Sequence, residues 1–275
     1  MDPTPDWLSV TSGEQPLILS MPHCGTELPG IAAGTLVSDA AARRDTDWWI
    51  ERLYDFAPEL GATLIRTRIS RTVIDVNRDP TGRSLYPGQA TTELCPTTTF
   101  DGEALYRAGA EPDAAAIAAR RERYFAPYHR ALALAITRLR RRHARVVLYD
   151  CHSIRSRIPR LFEGELPHLN IGTNGGASCA PELTAAVEQA CGTRFSRITN
   201  GRFKGGYITR NYGRPAEGVH AVQMELACRG YMDEPSAPLA PAAWPSAYAP
   251  ARAQPLRSVL RAVLEACAAF ARRGA

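Results

Sequence analysis

Short apolar runs alternate with amphipathic stretches along this 275-residue chain, and two of the runs end in a histidine. Leu17-Ile18-Leu19-Ser20-Met21 stops at Pro22-His23-Cys24-Gly25, and Val146-Val147-Leu148-Tyr149 stops at Asp150-Cys151-His152-Ser153. Runs of this length, rich in branched residues and cut off by polar ones, predict buried strands. Further strands are predicted over Ala62–Arg68, Thr72–Val76, His168–Gly172, Arg197–Asn200 and Val219–Leu226. Helical spacing predicts helices over Asp47–Leu60, Glu111–Arg142 (continuous, or broken near Pro127), Pro181–Cys191 and Leu256–Arg273. The segment before Leu17 reads as an edge or disordered stretch. Asn77–Asp101, rich in Pro, Gly and Thr, reads as a long ordered loop, a class that is often functional. Residues 233–256 are Pro/Ala-rich and linker-like. Alternating strands and helices predict an α/β class with a mostly parallel or mixed sheet. No repeat or boundary divides the chain, so one catalytic domain over 1–275 is expected, with the last helix packed on it.

In an open α/β sheet, ligands bind outside the carboxyl ends of the strands. Two histidines carried there can converge on one metal ion or one substrate. Asp150 and His152 lie two apart on one strand, so they share a face, and Asp150 can orient a ligating imidazole. Catalytic zinc commonly takes two histidines and a carboxylate and keeps a position for water. Glu27 and Asp47 are the nearby carboxylates, although Asp47 also reads as a plain helix cap. Arg71 and Arg78 bracket Thr72–Val76, and an Asn77-Arg78 pair at its end suits recognition of a carboxylate. Glu225 interrupts an apolar strand, where an acid needs a partner or a raised pKa. Beside a metal-bound water it would serve as a general base.

Composition narrows the partners. The formal charge is +5, carried almost entirely by dispersed arginine without aromatic interleaving. That disfavours nucleic acid and suits small acidic substrates, because the guanidinium fork grips carboxylates in pairs. The loops Thr173-Asn174-Gly175-Gly176 and Arg202–Arg214 lack a phosphate-loop signature and read as substrate-enclosing. Seven cysteines without a Cys-x-x-Cys pair, and a polar N-terminus, predict a cytoplasmic protein with reduced thiols. No apolar stretch reaches the ~20 residues of a membrane span.

Pro22-His23-x-Gly25, Asp47 ahead of the aromatic stretch, Asp75-Val76-Asn77-Arg78, Asp150-x-His152-Ser153 and Asn200-Gly201-Arg202-Phe203-Lys204-Gly205-Gly206-Tyr207 occur in this order between about Leu17 and Asp233. Together they resemble the N-formylglutamate amidohydrolase family. Leu94–Phe100 and Leu161–Gly164 fit the version of it that works in histidine degradation. The family is related to zinc carboxypeptidases and aspartoacylases. The resemblance implies a three-layer α/β/α sandwich of the phosphorylase/hydrolase type, hydrolysing N-formyl-L-glutamate to formate and glutamate.

It also implies zinc on two histidines and a carboxylate, an Arg and an Asn-Arg pair for the substrate, and a late glutamate as base. His23, His152, Arg71, Asn77-Arg78 and Glu225 fall in that order. The peptidase pattern places its glutamate three residues after the first histidine, which here is Thr26, so Asp47 is favoured as third ligand over Glu27. The expected site is then one Zn²⁺ (with Co²⁺ or Mn²⁺ also suited) on His23, Asp47 and His152, with Glu225 as base and Arg71 at the oxyanion. Asn77, Arg78, Thr173, Asn174, Arg202 and Arg214 are expected to hold a small dicarboxylate substrate. Three alternatives stay open: another N-acyl amino acid as substrate, a non-catalytic binder of acidic metabolites, and a metal-free amidase using Cys24, Cys95 or Cys151.

Overall fold

The computed structural model describes residues 4–235 and 244–273. Its centre is a seven-stranded sheet in the order β1-β3-β2-β4-β7-β5-β6. The strands are β1 (Leu8–Thr11), β2 (Leu17–Met21), β3 (Thr63–Thr67), β4 (Val146–Ile154), β5 (Leu169–Gly172), β6 (Arg197–Thr199) and β7 (Val219–Ala227). The four central strands β3, β2, β4 and β7 run parallel. β1 lies antiparallel on one side and β5 antiparallel on the other.

Side-chain alternation in these strands builds two cores. Leu17, Leu19 and Met21 of β2, Val147, Tyr149 and Cys151 of β4, and Val222, Met224 and Leu226 of β7 face one core. Helices α5 (Pro181–Cys191) and α7 (Pro250–Arg272) cover it. Ile18, Val146, Leu148 and Ala221 face the other, covered by α4 (Ala126–Arg140) and α6 (Tyr207–Tyr212). Strands buried on both faces must be apolar throughout, which is why β4 and β7 read as near-continuous runs. The result is the expected three-layer sandwich. No helix of the described residues is long and apolar enough to cross a membrane.

Several expected elements differ. Thr72–Val76 is not a strand: Val73, Ile74 and Val76 are buried, but the backbone turns, with Asp75 N–H donating to the Leu94 carbonyl and Thr72 Oγ1 to the Ala42 carbonyl. Apolar content there reflects a buried loop, and periodicity cannot separate the two. The helix expected over Asp47–Leu60 is only α2 (Ile50–Leu53) and a 3₁₀ turn over Ala57–Leu60, following a left-handed Trp49 at φ 63°. α1 (Asp39–Ala42) lies in a stretch for which the sequence predicts no element, and α6 in one read as a substrate-enclosing loop. The long helix is divided: α3 (Ala114–Arg120), a π turn over Arg121–Phe125, then α4. Pro127 cannot donate back to the preceding turn, and the wider turn accommodates it. α7 begins at Pro250, inside the segment read as linker, with Pro250 in the first turn where no donor is needed. Residues 236–243 of that segment lie outside the described residues.

Candidate active site

The carboxyl ends of β2, β4 and β7 bring the singled-out residues together. β2 delivers His23 two residues past its end. β4 carries Asp150 and His152, and the ladder sets His152 directly beside Glu225 of β7. All three lie on the face opposite Cys151 and Met224, which point into the α5/α7 core. Asp47 N–H donates to the His23 carbonyl, tying the third residue to the first.

His23, Asp47 and His152 are all buried, with one potential ligand atom of each within 4.8 Å of the others. Asp47 Oδ2 lies 3.6 Å from His23 Nδ1 and 3.0 Å from His152 Nδ1. These gaps bracket the roughly 3.4 Å expected between ligands 2.0–2.1 Å from a tetrahedral ion. Each ring is fixed from behind. His23 Nε2 is 2.7 Å from Asp75 Oδ1, and His152 Nε2 is 2.9 Å from Asp150 Oδ2. A carboxylate only accepts, so His23 Nε2 carries hydrogen, while His152 Nε2 meets both Asp150 and, at 2.9 Å, Asn77 Nδ2; both Nδ1 atoms turn towards Asp47. Among the described residues, His23 Nδ1 and Asp47 Oδ1 are buried without a hydrogen-bond partner.

The electrostatics favour a cation at the same point. Burial alone would raise Asp47, but the imidazoles of His152 and His23 beside it hold its carboxyl well below the usual range. Burial alone would lower His152, but Asp150 and Asp47 override it and raise its pKa. Sites that draw a proton to Nδ1 also draw a metal ion there, because both answer the same carboxylates. The donor set of two imidazoles and a carboxylate fits a catalytic divalent ion with an open position.

A cavity opens directly on this cluster, lined by His23, His152, Glu225, Arg71, Arg78 and Arg202, with apolar lining that includes Phe100 and Ile154. Glu225 is 7% exposed. Burial pushes its carboxyl up to about 8, against the pull of His152, and its polar neighbour is Gln223 Nε2 at 3.3 Å. Arg71 donates to Asp75 Oδ2 at 2.6 Å, stands 3.8 Å from Asp47 Oδ1, and lies over the Phe100 ring.

Arg78 and Arg202 are anchored by backbone oxygens. Arg78 donates to the Thr92 carbonyl, and Arg202 to the carbonyls of Leu161 and Ala90. Tyr86 fastens the loop between them: its hydroxyl donates to the Gly205 carbonyl and accepts from Lys204 N–H. Arg202 and Arg210 also lie against its ring, at 5.4 and 4.8 Å.

Other expected site residues sit elsewhere or act differently. Glu27 is turned away: Gly25 passes so close to Arg68 and Ile69 that a Cβ would lie 2.3 Å from the Arg68 carbonyl carbon. Glu27 then pairs with Arg68 at the surface. Arg214 pairs its backbone with Val219 at the start of β7 and its side chain with Glu217. Six residues of strand, about 20 Å, separate that end from Glu225. Thr173 caps its own turn and accepts from Asn200, while Asn174 N–H donates to the Lys204 carbonyl. Both brace the 200–206 loop and do not line the cavity.

Asn77 lines the cavity, but its amide is engaged. Oδ1 accepts from Ile208 N–H and Nδ2 donates to Asp150. Gly206 packs on this amide at a distance no Cβ would allow. Sequence reasoning assigned no role to Asp75, Tyr86 or Gln223. Asp75 carried the same signal as Glu225, an acid inside an apolar run; Tyr86 carried none.

The model of the N-formylglutamate amidohydrolase family matches residues 15–232. The chain belongs to this family. A Pseudomonas aeruginosa protein named N-formylglutamate deformylase is 48% identical over 272 residues, covering 96% of this chain and 97% of that one. A Pseudomonas putida protein of the same name is 44% identical, covering 96% of each. The crystal structure of N-formylglutamate amidohydrolase from Ralstonia eutropha JMP134 superposes with a TM-score of 0.79 at 24% identity, over 98% of this chain and 99% of that one. A gene product of Agrobacterium tumefaciens gives 0.69 at 17%, over 97% of each. At these identities the two structures show the fold.

The thiols do not form a competing site. Cys151 is fully buried in the α5/α7 core, and burial raises its pKa well above the ordinary value. Burial also raises Cys24, and pushes Cys95 up to about 11. A nucleophile needs the opposite shift.

Proposed function

We propose that this chain hydrolyses the formamide bond of N-formyl-L-glutamate, releasing formate and L-glutamate, with a divalent metal, Zn²⁺ by its donor set, on His23, Asp47 and His152. The observation that carries the reading is the convergence of that triad with Glu225 at the floor of a cavity walled by three arginines. The names of the relatives that share nearly the full length of the chain support it.

A bound divalent ion would polarise the formyl carbonyl and bring the pKa of a water towards neutrality. Glu225, ionised, takes the proton of the water as it attacks the formyl carbon. Arg71 donates to the oxygen that gains charge, held for that role by Asp75 and Phe100. Glu225 returns the proton to the departing glutamate nitrogen. Arg78 and Arg202 take the two substrate carboxylates, which explains why the cavity is walled by guanidinium groups. Asn77, Asp75 and Asp150 act behind the site, holding the two rings in the orientation that presents Nδ1.

The test is formate and glutamate release from N-formyl-L-glutamate beside N-formyl-L-norvaline, which lacks the side-chain carboxylate. Equimolar release from the first and little from the second is expected. Tight binding of formylglutamate without release, or equal cleavage of both compounds, would contradict the reading.

A further inference from the structure

We propose that Phe100 sets the size of the acyl group, closing the space beside the reacting carbonyl so that a formyl hydrogen fits and a methyl group does not. The proposal rests on the function proposed above and names its acyl limit.

The cavity lining is of two kinds. Arg78 and Arg202 supply guanidinium groups. Phe100 and Ile154 supply apolar surface, and Ile154 follows His152 by two residues on β4 and so shares its face. Phe100 belongs to the same apolar cluster as Ile154, Ile158 and Leu166, and Phe203 packs against it. The Phe100 ring lies 4.7 Å from the Arg71 guanidinium, and Arg71 stands 3.8 Å from Asp47. This apolar wall therefore reaches the cluster itself. An amide has three directions around its carbonyl carbon. The oxygen is drawn to the cationic centre and Arg71, and the nitrogen leads to the carboxylates and hence to Arg78 and Arg202. The third substituent is left facing Phe100 and Ile154.

Rigidity makes this wall a limit. Phe100 N–H donates to Asp45 Oδ2 at 2.7 Å, and Arg160 reaches the Phe100 and Thr99 carbonyls. The next residue, Asp101, is gripped by both terminal nitrogens of Arg155, at 3.2 and 2.7 Å. Arg155 directly follows β4 and also approaches Asp45. The backbone around the ring is thus tied to the strand that carries His152, and the ring is pinned on Arg71. A ring packed on Arg71 and in its apolar cluster, on a tied backbone, resists the swing that an added methyl group would require.

The test compares kcat/KM for N-formyl-L-glutamate and N-acetyl-L-glutamate in the wild type, Phe100→Ala and Phe100→Leu, with metal content and melting temperature measured on each. The wild type is expected to discriminate against the acetyl compound by about a hundredfold or more. Phe100→Ala is expected to narrow that ratio at least about tenfold, the scale on which a single carbon is sensed by an apolar pocket. Phe100→Leu, smaller but still apolar, is expected to narrow it less, and it carries the test if the alanine variant does not fold. An unchanged ratio in the folded variants, or a wild type that cleaves both compounds equally, would overturn the proposal. No formate from the wild type contradicts the underlying function as well, whereas formate release with an unchanged ratio contradicts the acyl limit alone.

Discussion

The two halves of the site are built by different means. The half that would perform chemistry stands on parallel strands: His152 and Glu225 are neighbours in the β4–β7 ladder, and His23 follows β2. Buried carboxylates fix each ring from behind. The half that would recognise substrate stands on loops, where Arg78, Tyr86 and Arg202 are held by individual bonds to Thr92, Gly205, Leu161 and Ala90. Strand-borne groups are positioned by a ladder that cannot shift one residue without inverting every face. Loop-borne groups are positioned one hydrogen bond at a time, each contributing about 1 kcal/mol. The strand half should therefore respond to substitution in turnover and metal retention, and the loop half in KM.

Glu225→Gln is the sharpest probe of that division. It removes the proton acceptor and keeps the shape, so kcat should fall by about 10²–10⁴-fold with metal content unchanged. Near-normal turnover would remove Glu225 from the chemistry. Asp75→Asn comes next. It weakens the support of His23 and Arg71 together, and metal affinity, read by competition with a chelator, should fall roughly 10–100-fold. Unaltered affinity would mean that the imidazole needs no carboxylate behind it.

Arg202→Lys keeps the charge and loses the fork. It should raise KM about tenfold with kcat nearly constant, the signature of lost uniform binding. A matching fall in kcat would place Arg202 with the strand half. The smallest effect is expected for Tyr86→Phe, about threefold in KM, since the ring remains under both guanidinium groups and only the hydroxyl bonds are lost.

Glu225 also gives the comparison a pH dependence. Its folded-state pKa of about 8 lies above the ordinary 4.5. The stability contributed by its proton is therefore complete below about 4.5 and lost as pH rises through 8. A glutamine side chain at this position mimics the protonated form. Metal-free Glu225→Gln should therefore melt at a higher temperature than the metal-free wild type near pH 8.5, with the gap closing towards pH 4.5. A gap that is constant with pH would show that burial does not perturb this carboxyl.

How far the site was legible in the chain follows the same division. Strand ends announce themselves: an apolar run broken by Asp150-x-His152, or a glutamate inside Val222–Leu226, is a local anomaly whose cost implies a purpose. Asp75 is the same kind of anomaly, and it sits in a buried turn that imitates a strand because both are apolar. The loop half is not local. Nothing in Thr173-Asn174 says that it props the 200–206 loop from outside, and nothing in Arg214 says that it lies at the far end of β7. Tyr86 matters only because Lys204 and Gly205, more than a hundred residues later, fold back onto it. The proposed third ligand shows both cases. Glu27 lies near His23 in sequence but is carried off by the close pass of Gly25, while Asp47 returns through a backbone bond to His23.

The central claim is that His23, Asp47 and His152 share one ion on which formylglutamate cleavage depends. The most direct measurement is elemental analysis of the purified chain, paired with formate release from N-formyl-L-glutamate before chelation, after it, and after metal is restored. One zinc per chain, loss of formate release with its removal and recovery on readdition are expected in the wild type, with no ion retained by His152→Ala. Full formate release from chain stripped of metal, or an undiminished ion in His152→Ala, would contradict it.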